Sequence, residues 1–238
     1  MTESKTPGIT IKGLKKAYVS GEIKTEILHG IDLKIYKSEI TVILGASGSG
    51  KTTLMNIIGG IDKPTEGVVK FQSIDLAKQN DKVLTEYRRK NIGFVFQFYN
   101  LISTLTAIEN VEVAAEVSEN PMSPSEALKQ VDLFDKKDNF PSQLSGGQQQ
   151  KVSIARALVK NPTLILCDEP TGALDFKTGQ LVLKTLADLN QRLKTTIIII
   201  THSTSVAKLA HRIIHLGSGV IDKIEINNNR LKPEEINW

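Results

Sequence analysis

Short apolar runs alternate with polar, turn-forming segments through the first and last parts of the chain. Ile31, Leu33 and Ile35 alternate with polar residues, which is the period-two pattern of a half-buried strand. Other runs are continuously apolar, as in strands that are buried on both faces. We predict strands at residues 40–44, 68–71, 92–96, 163–167, 196–200, 213–216 and 220–226, with short strands and turns over residues 9–43.

Helical signals dominate the middle of the chain and separate the later strands. Residues 98–160 contain three start signals of the form Ser/Thr-x-x-Glu/Gln, beginning at Thr106, Ser123 and Ser145. Further helices are predicted at residues 53–58, 178–193 and 206–211. Strands that alternate with helices indicate an α/β fold.

Composition limits the class of protein without identifying it. The chain has 238 residues, 40% of them hydrophobic and 24% charged, which suits one large globular domain or two small ones. The single cysteine, Cys167, excludes a disulfide framework and a cysteine-rich zinc site. The net charge of +4 fits a lysine-rich solvated surface, or a face that lies near anionic lipid headgroups.

Membrane and export signals are missing from the sequence pattern. Residues 1–8 are polar, so we expect no secretory signal. The longest aliphatic run, residues 197–200, is far shorter than the roughly 20 residues of a membrane span. We therefore expect a protein that is soluble by itself and takes any membrane role through a partner chain.

The strongest chemical signal is the glycine loop between the predicted strand at 40–44 and the helix that follows it. Successive backbone N–H groups in such a loop form an anion nest, and the helix N-terminus adds positive potential. A lysine in this loop can contact β- and γ-phosphates, and the next hydroxyl can coordinate Mg²⁺. A chance Gly/Ser turn does not explain a full eight-residue match in strand-to-helix context. The residues predicted to bind a nucleoside triphosphate are Gly45, Ser47, Gly48, Ser49, Gly50, Lys51, Thr52 and Thr53.

Four further polar residues follow apolar strands directly, and ligands bind at the carboxyl ends of strands in open α/β sheets. Asp168 is placed to hold Mg²⁺, although a solvated strand-end aspartate gives the same pattern. Glu169 can deprotonate a water, or be a salt-bridge partner. Gln97 ends another strand, and His202 by itself is better explained as a surface histidine. Tyr18 either packs at the edge of the core or stacks on a base, and packing is favoured by the residue alone.

Taken together, these motifs resemble the ATP-binding subunits of ABC transporters over about residues 9–226. Gly45 to Thr52 is similar to Walker A, Leu164 to Glu169 to Walker B with its catalytic glutamate, and Leu144 to Gln148 to the family signature. Gln97 matches the Q-loop, Asp175 the D-loop and His202 the H-switch. Tyr18 lies where the family has its A-loop aromatic, which makes adenine stacking the better interpretation.

The resemblance implies a P-loop ABC ATPase fold. Its parts would be a RecA-like core, an N-terminal antiparallel β subdomain and an inserted helical subdomain that carries the signature. Residues 1–238 would form a single ATP-binding domain. The core with its β subdomain would take about residues 9–97 and 161–226, and the helical subdomain about 98–160. Residues 227–238 would form a polar tail, which we expect to be mobile.

The resemblance also implies ATP and Mg²⁺ as cofactors. Glu169, His202, Gln97 and Lys51 would be catalytic, and Thr52, Gln97 and Asp168 would hold the metal. A second copy of the chain would place its own signature residues on the γ-phosphate, giving a head-to-tail homodimer that encloses two ATP molecules. The residues that would contact ATP from across that dimer are Ser145, Gly146, Gly147, Gln148 and Asp175.

Four shorter sequence segments resemble the macrolide-export and lipoprotein-release subfamily, which includes bacitracin-type exporters and a cell-division member. The segments that carry this likeness are residues 96–101, 110–112, 145–150 and 169–175. In this subfamily the ATPase drives a four-helix permease, in some systems with a periplasmic or extracellular adaptor. The chain would then act at the cytoplasmic face of the bacterial inner membrane, and an alternative is signalling to cell-wall hydrolases.

The alternative functional class is a soluble ABC protein that acts on nucleic acid. The sequence has no long coiled-coil insertion, no zinc cysteines and room for only one ATPase domain, so we expect no nucleic-acid partner. Two positions depart from the family pattern. Ser38 replaces a usual turn glycine, where we expect local adjustment, and Ser203 follows His202 where aspartate is common.

Overall fold

The computed structural model of the protein describes residues 7–237, and the strands of this part form two sheets. In chain order the strands are β1 (Pro7–Ser20), β2 (Ile23–Tyr36), β3 (Ile40–Leu44), β4 (Glu66–Phe71), β5 (Ile74–Asp75), β6 (Ile92–Val95), β7 (Leu164–Asp168), β8 (Thr196–Thr201), β9 (Arg212–Gly217) and β10 (Val220–Ile226). The α-helices are α1 (Lys51–Ile58), α2 (Asp81–Asn91), α3 (Ala107–Glu116), α4 (Pro124–Gln130), α5 (Gly146–Leu158), α6 (Phe176–Leu193) and α7 (Thr204–Ala207).

The larger sheet determines where polar strand ends meet. Its order is β10-β9-β3-β8-β7-β6, and every pair is parallel except the antiparallel pair of β9 and β10. Leu44 of β3 pairs with Thr201 of β8, and Val95 of β6 pairs with Cys167 of β7. The carboxyl ends of β3, β6, β7 and β8 therefore lie along one edge. The smaller sheet is antiparallel, in the order β2-β1-β4-β5. The predicted α/β fold with an antiparallel β unit is confirmed.

The core lies on both faces of the parallel sheet. Ile197 and Ile199 pack with α5 and α6 residues on one face, whereas Ile198 and Ile200 pack with α1 residues on the other. All residues of β3 and β8 are buried. Burial on both faces explains why these strands appear in the sequence as continuous apolar runs.

Residues 9–43 differ from their prediction of short strands. β1 and β2 are each 14 residues long and pair as one hairpin. Register shifts between Ile11 and Leu14 and near Lys16 interrupt the alternation of buried positions. A β-bulge moves the apolar residues by one position, and this hides the length of the strand from a period-two search.

The predicted helix at 206–211 is also wrong in extent. α7 covers only Thr204–Ala207, and the chain then turns into β9. The backbone N–H of His211 donates to Ile40 O at 2.8 Å, and the N–H of Ile40 donates to His211 Nδ1 at 2.9 Å. Tertiary pairing with β3 therefore overrides the local helical pattern.

The C-terminal tail was expected to be mobile, but residues 227–237 pack on the domain. Ile236 is fully buried, and its carbonyl accepts a hydrogen bond from Gln180 Nε2 of α6 at 2.9 Å. The N–H of Leu231 donates to Lys208 O at 3.1 Å. Two apolar residues in a polar segment are enough to anchor it.

Ser38 adopts the left-handed conformation that its turn requires, with φ of +60°. Its hydroxyl donates to Lys194 O at 2.8 Å, and its N–H donates to Thr196 Oγ1 at 3.0 Å. These bonds offset the roughly 1 kcal/mol that a non-glycine residue loses in this region.

Candidate functional site

The glycine loop connects β3 to α1 and leaves the start of that helix free of side-chain caps. Gly48 and Gly50 have φ of +77° and +99°. A Cβ on Gly50 would lie 2.8 Å from Leu28 Cδ2, so this position requires glycine. α1 has no capping side chain, whereas the other α-helices of the described chain begin at Asn80, Thr106, Ser123, Ser145, Asp175 and Ser203, each of which caps its helix. The first N–H groups of α1 therefore remain available to an anion.

The Lys51 side chain stabilises the glycine loop by donating hydrogen bonds to its backbone carbonyls. Its ammonium donates to Gly45 O at 2.9 Å and to Ala46 O at 2.8 Å, and the side chain is buried. Among the described residues no carboxylate forms an ion pair with Lys51. Its charge is therefore held beside the helix N-terminus and is not neutralised there.

Most of the predicted phosphate and strand-end residues line one cavity. This cavity has a volume of about 840 Å³, which is a normal size for a small-molecule site. Gly45 and Ser49 form the base of the loop and do not line it. Ile27 and Ala46 complete the wall. Ala46 lies within the eight-residue motif but was not among the residues predicted to bind, and nothing in the sequence pattern identified Ile27. The lining residues are Ile27, Ala46, Ser47, Gly48, Gly50, Lys51, Thr52, Thr53, Gln97, Asp168, Glu169 and His202.

The two carboxylates after β7 have different surroundings. Burial and the neighbouring Glu169 charge raise the pKa of Asp168, while Lys51 acts in the opposite direction. Glu169 has φ of +44°, and its carboxylate faces the end of β8. Its Oε2 accepts from Thr201 Oγ1 at 2.8 Å, and its Oε1 accepts from His202 N at 3.1 Å and lies 2.8 Å from His202 Nδ1.

These contacts bear on two open alternatives from the sequence. The partners of Glu169 are a hydroxyl, a backbone N–H and the His202 imidazole, which forms an ion pair with it when protonated. Within residues 7–237 no lysine or arginine forms an ion pair with Glu169. The His202 side chain is 71% exposed, but its ring is fixed against Glu169. Thr201 was missed by sequence reasoning, although it occupies the last position of β8 beside Asp168 and Glu169.

The metal prediction agrees with the donors present. Thr52, Gln97 and Asp168 offer a hydroxyl, an amide and a carboxylate oxygen in the lining of the same cavity, and Mg²⁺ prefers oxygen ligands. The neighbouring Glu169 carboxylate adds a second negative group beside Asp168 in the lining of this cavity. Within residues 7–237 no group of three His, Cys, Asp or Glu side chains could hold a metal. An ion here would take further ligands from phosphate and water, as Mg²⁺ commonly does.

Tyr18 is exposed at the surface and does not pack in the core. Its side chain is 44% exposed, and its hydroxyl donates to Asp62 Oδ2 at 2.7 Å. The Lys16 ammonium lies 4.6 Å from the ring centroid and also donates to Asp62. Tyr18 does not line the cavity itself, but its hydroxyl interacts with the side chain of Thr53, which does.

The signature residues lie away from this cavity in a single chain. The N–H of Ser145 donates to Gln148 Oε1 at 2.9 Å, and the N–H of Gln148 donates to Ser145 Oγ at 3.3 Å, forming a capping box. Ser145, Gly147 and Gln148 line a separate cavity of about 300 Å³. Gly146 lies against the hydroxyl of Tyr99.

Asp175 also serves as a helix cap. Its carboxylate accepts from Thr178 N at 3.1 Å and Thr178 Oγ1 at 2.6 Å, and these bonds hold its pKa below the usual range. It does not reach the cavity of its own chain.

A glycine loop between a parallel strand and an uncapped helix, with two carboxylates on a nearby strand end, defines a P-loop nucleotide-binding protein. Residues 28–172 match the family described as "ABC transporter". The chain belongs to this family: it is an ABC-type ATPase domain that uses ATP and Mg²⁺.

Relatives extend the match to nearly the whole chain. It is 45% identical, over 99% of its length, to the putative ABC transporter ATP-binding protein MG065 homolog of Mycoplasma pneumoniae, of which it covers 52%. It is 48% identical, over 92% of its length, to the macrolide export ATP-binding/permease protein MacB of Azoarcus sp., of which it covers 34%. The chain thus spans about half or less of the length of these relatives.

A shorter relative has solved structures. The uncharacterized ABC transporter ATP-binding protein MJ0796 of Methanocaldococcus jannaschii is 45% identical over 91% of the chain and 96% of the relative. A dimeric, post-hydrolysis structure of MJ0796 bound to ADP and Pi has a TM-score of 0.84, with 43% identity over 92% of this chain and 99% of that one.

The described residues 7–237 include no helix long and apolar enough to cross a membrane. In the polar N-terminal segment, where no secretory signal is expected, residues 1–6 lie outside the described part.

Proposed function

We propose that this chain powers a bacterial export or lipoprotein-release permease by ATP-driven, head-to-tail dimerisation. The proposal rests mainly on one observation: the N-termini of α1 and α5 lie at two separate surfaces of the chain. α1 is uncapped and opens into the large cavity, whereas α5 begins at the signature residues on another surface. One chain therefore presents two incomplete halves of a nucleotide site.

In the first half, the residues of the large cavity bind the triphosphate. The Gly45–Thr53 loop surrounds the phosphates with N–H groups, and Lys51 supplies the positive charge. The exposed ring of Tyr18 stacks on adenine. Thr52, Gln97 and Asp168 hold Mg²⁺, which when bound offsets charge on the phosphate oxygens.

Glu169 is the general base in this scheme. A water that attacks the γ-phosphate gives its proton to the carboxylate, which His202 and Thr201 hold in place, while the bond from the γ-phosphorus to the bridging oxygen breaks and ADP leaves. His202 also reaches the γ-phosphate from its exposed side. The Glu169 side chain is only 15% exposed, so protein donors take the place of water around its carboxylate. The same donors keep the carboxylate oriented for proton transfer.

The second half comes from another copy of the chain. Ser145, Gly146, Gly147 and Gln148 surround the N-terminus of α5, which is a second anion site once a phosphate approaches. Asp175 starts the neighbouring helix α6 and would face the same interface. The dimeric structure of the relative MJ0796 with ADP and Pi supports this isologous arrangement.

The permease would dock beside Gln97. Phe98 is 74% exposed, and Ile102 in the same loop and Val113 and Val117 in and after α3 are further exposed apolar residues. Asn110 of α3 exchanges hydrogen bonds with Ile102, so the loop after Gln97 and α3 form one surface. Several relatives are named macrolide export ATP-binding/permease protein, which supports a permease of the macrolide-export type. In this proposal the chain acts at the cytoplasmic face, and an adaptor lies across the membrane.

The experiment compares Glu169→Gln with Glu66→Gln, an exposed glutamate that is paired with Lys15 and does not line the cavity. We expect Glu169→Gln to bind ATP, form a stable dimer with it and show no turnover, while Glu66→Gln hydrolyses at the wild-type rate. Rapid steady-state hydrolysis by Glu169→Gln would contradict the assignment of the base.

A further inference from the structure

A fully buried glutamine on the signature helix joins the two loops that carry Gln97 and Glu169. Gln150 lies on α5, within two turns of Ser145, and is 0% exposed. Its Nε2 donates to Pro170 O at 2.9 Å and to Phe96 O at 3.3 Å. Phe96 immediately precedes Gln97, and Pro170 immediately follows Glu169.

The strand register explains how one side chain reaches both loops. β6 and β7 are parallel neighbours, and Val95 pairs with Cys167 at their ends. The chain leaves the sheet at Phe96 on one strand and after Asp168 on the next. The amide of Gln150 enters between these two exits from the α5 side.

Both acceptors of the Gln150 amide are carbonyls, so its nitrogen must face the loops. Its Oε1 then has no hydrogen-bond partner among the described residues. An unsatisfied buried oxygen is unfavourable, and an apolar side chain of similar size would fill the space without it. The amide is therefore explained by the two bonds that it donates.

The same helix holds the Gln97 loop at a second point. Arg156 donates to the carbonyls of Tyr99, at 2.8 Å, and Asn100. Both residues are left-handed, with φ of +59° and +51°. Non-glycine residues keep this conformation only where surrounding contacts impose it.

We propose that Gln150 and Arg156 are positioning residues that make the placement of Gln97 and Glu169 follow the signature helix. A γ-phosphate bound in the opposite subunit would contact the N-terminus of α5. Through Gln150 and Arg156, that contact would fix the positions of Gln97 and Glu169 in the same chain as α5. A permease that moves the loop after Gln97 would act on the signature through the same contacts. This inference rests on the proposed dimeric ATPase.

The test uses the 238-residue chain with Gln150→Met, which keeps the length of the side chain and removes the donor. Ser153→Ala is the matched control, because Ser153 is equally buried on α5 and its hydroxyl also has no partner. We expect kcat of Gln150→Met to fall about ten- to a hundredfold, as for small displacements of reacting groups, with KM for MgATP nearly unchanged. Ser153→Ala should retain the wild-type kcat.

Hydrogen exchange without nucleotide gives a readout that is independent of activity. In Gln150→Met, peptides covering residues 97–101 and 169–174 should exchange faster together, and in Ser153→Ala neither should change. Unchanged exchange in both peptides, or a wild-type kcat, would overturn the inference. If Gln150→Met does not fold, Arg156→Lys tests the second anchor, with a lower kcat and faster exchange at 97–101 expected and wild-type values refuting it.

Failure of the proposed function gives a different pattern. In that case the wild-type chain itself would not hydrolyse MgATP, or Glu169→Gln would not dimerise with ATP. A wild type that hydrolyses and dimerises, together with a normal Gln150→Met, would refute only the positioning role.

Discussion

The hydrogen bond between Thr201 and Glu169 allows a quantitative test of the site geometry. Thr201 is 1% exposed, and its hydroxyl donates to Glu169 Oε2 at 2.8 Å. Thr201→Val keeps the shape, removes this donor and also removes the acceptor of the Ser203 N–H bond at 3.1 Å, while the two contacts from His202 to Oε1 remain. A hydrogen bond to a charged group contributes about 1.5–3 kcal/mol. Since Glu169 is largely buried, we expect Thr201→Val to lower the free energy of unfolding by about 2 kcal/mol.

A double-mutant cycle with Glu169→Ala separates this bond from other effects of the substitutions. Urea unfolding of the wild type, both single variants and the double variant, without nucleotide, gives the interaction free energy. We expect a coupling of about 1.5–3 kcal/mol. A coupling below about 0.5 kcal/mol is within ordinary additivity and would refute the view that Thr201 holds the carboxylate.

Three further substitutions test separate parts of the structure. Gly50→Ala should abolish ATP binding in calorimetry, because its Cβ would lie 2.8 Å from Leu28 Cδ2 within the phosphate loop. Gly21 also has a positive φ, of +61°, but lies in open space, so Gly21→Ala should bind ATP normally. Tyr87→Phe should lower the free energy of unfolding by about 1–2 kcal/mol, since the Tyr87 hydroxyl donates to the carbonyl of Ile58 in the core; an unchanged denaturation midpoint would refute this. Burial lowers the pKa of Lys160 to about 8 from 10.5. The unfolded state then binds more protons between these values, so the stability of the wild type relative to Lys160→Met should rise from pH 8 to pH 10. A flat or falling difference would contradict it.

The sequence predicted the parallel sheet well where strands are buried on both faces. The predicted bounds of β8, residues 196–200, agree with the observed strand to within one residue. The strand lies between α1 on one face and α5 and α6 on the other, so its central residues form a continuous apolar run. The gathering of Gln97, Asp168, Glu169 and His202 followed from a simple rule on strand ends. These predictions needed only local pattern and topology.

Contacts that depend on register were not predictable. Thr201 and Gln150 reach their partners because β7 lies between β6 and β8, and no spacing in the sequence contains that order. Residues 206–211 have a helical pattern, yet pairing of His211 with Ile40 ends the helix early. Tertiary hydrogen bonds decided each of these cases.

Ser145 and Asp175 show a different limit. Serine and aspartate at a helix start are common caps whether or not a ligand binds there. In the single chain both residues cap their own helices. Their proposed contact with ATP depends on a second copy, which the sequence of one chain does not describe.

Mixing two inactive variants tests most directly whether each ATP site is built from two copies. Lys51→Ala damages the P-loop half. Ser145→Asp keeps a good helix cap and places a negative charge where the γ-phosphate of the opposite site would bind. Each variant alone should hydrolyse almost no ATP. A mixed dimer has one complete site, so random pairing of equal amounts predicts about a quarter of the wild-type ATPase rate. A mixture no more active than the separate variants would contradict the two-copy site.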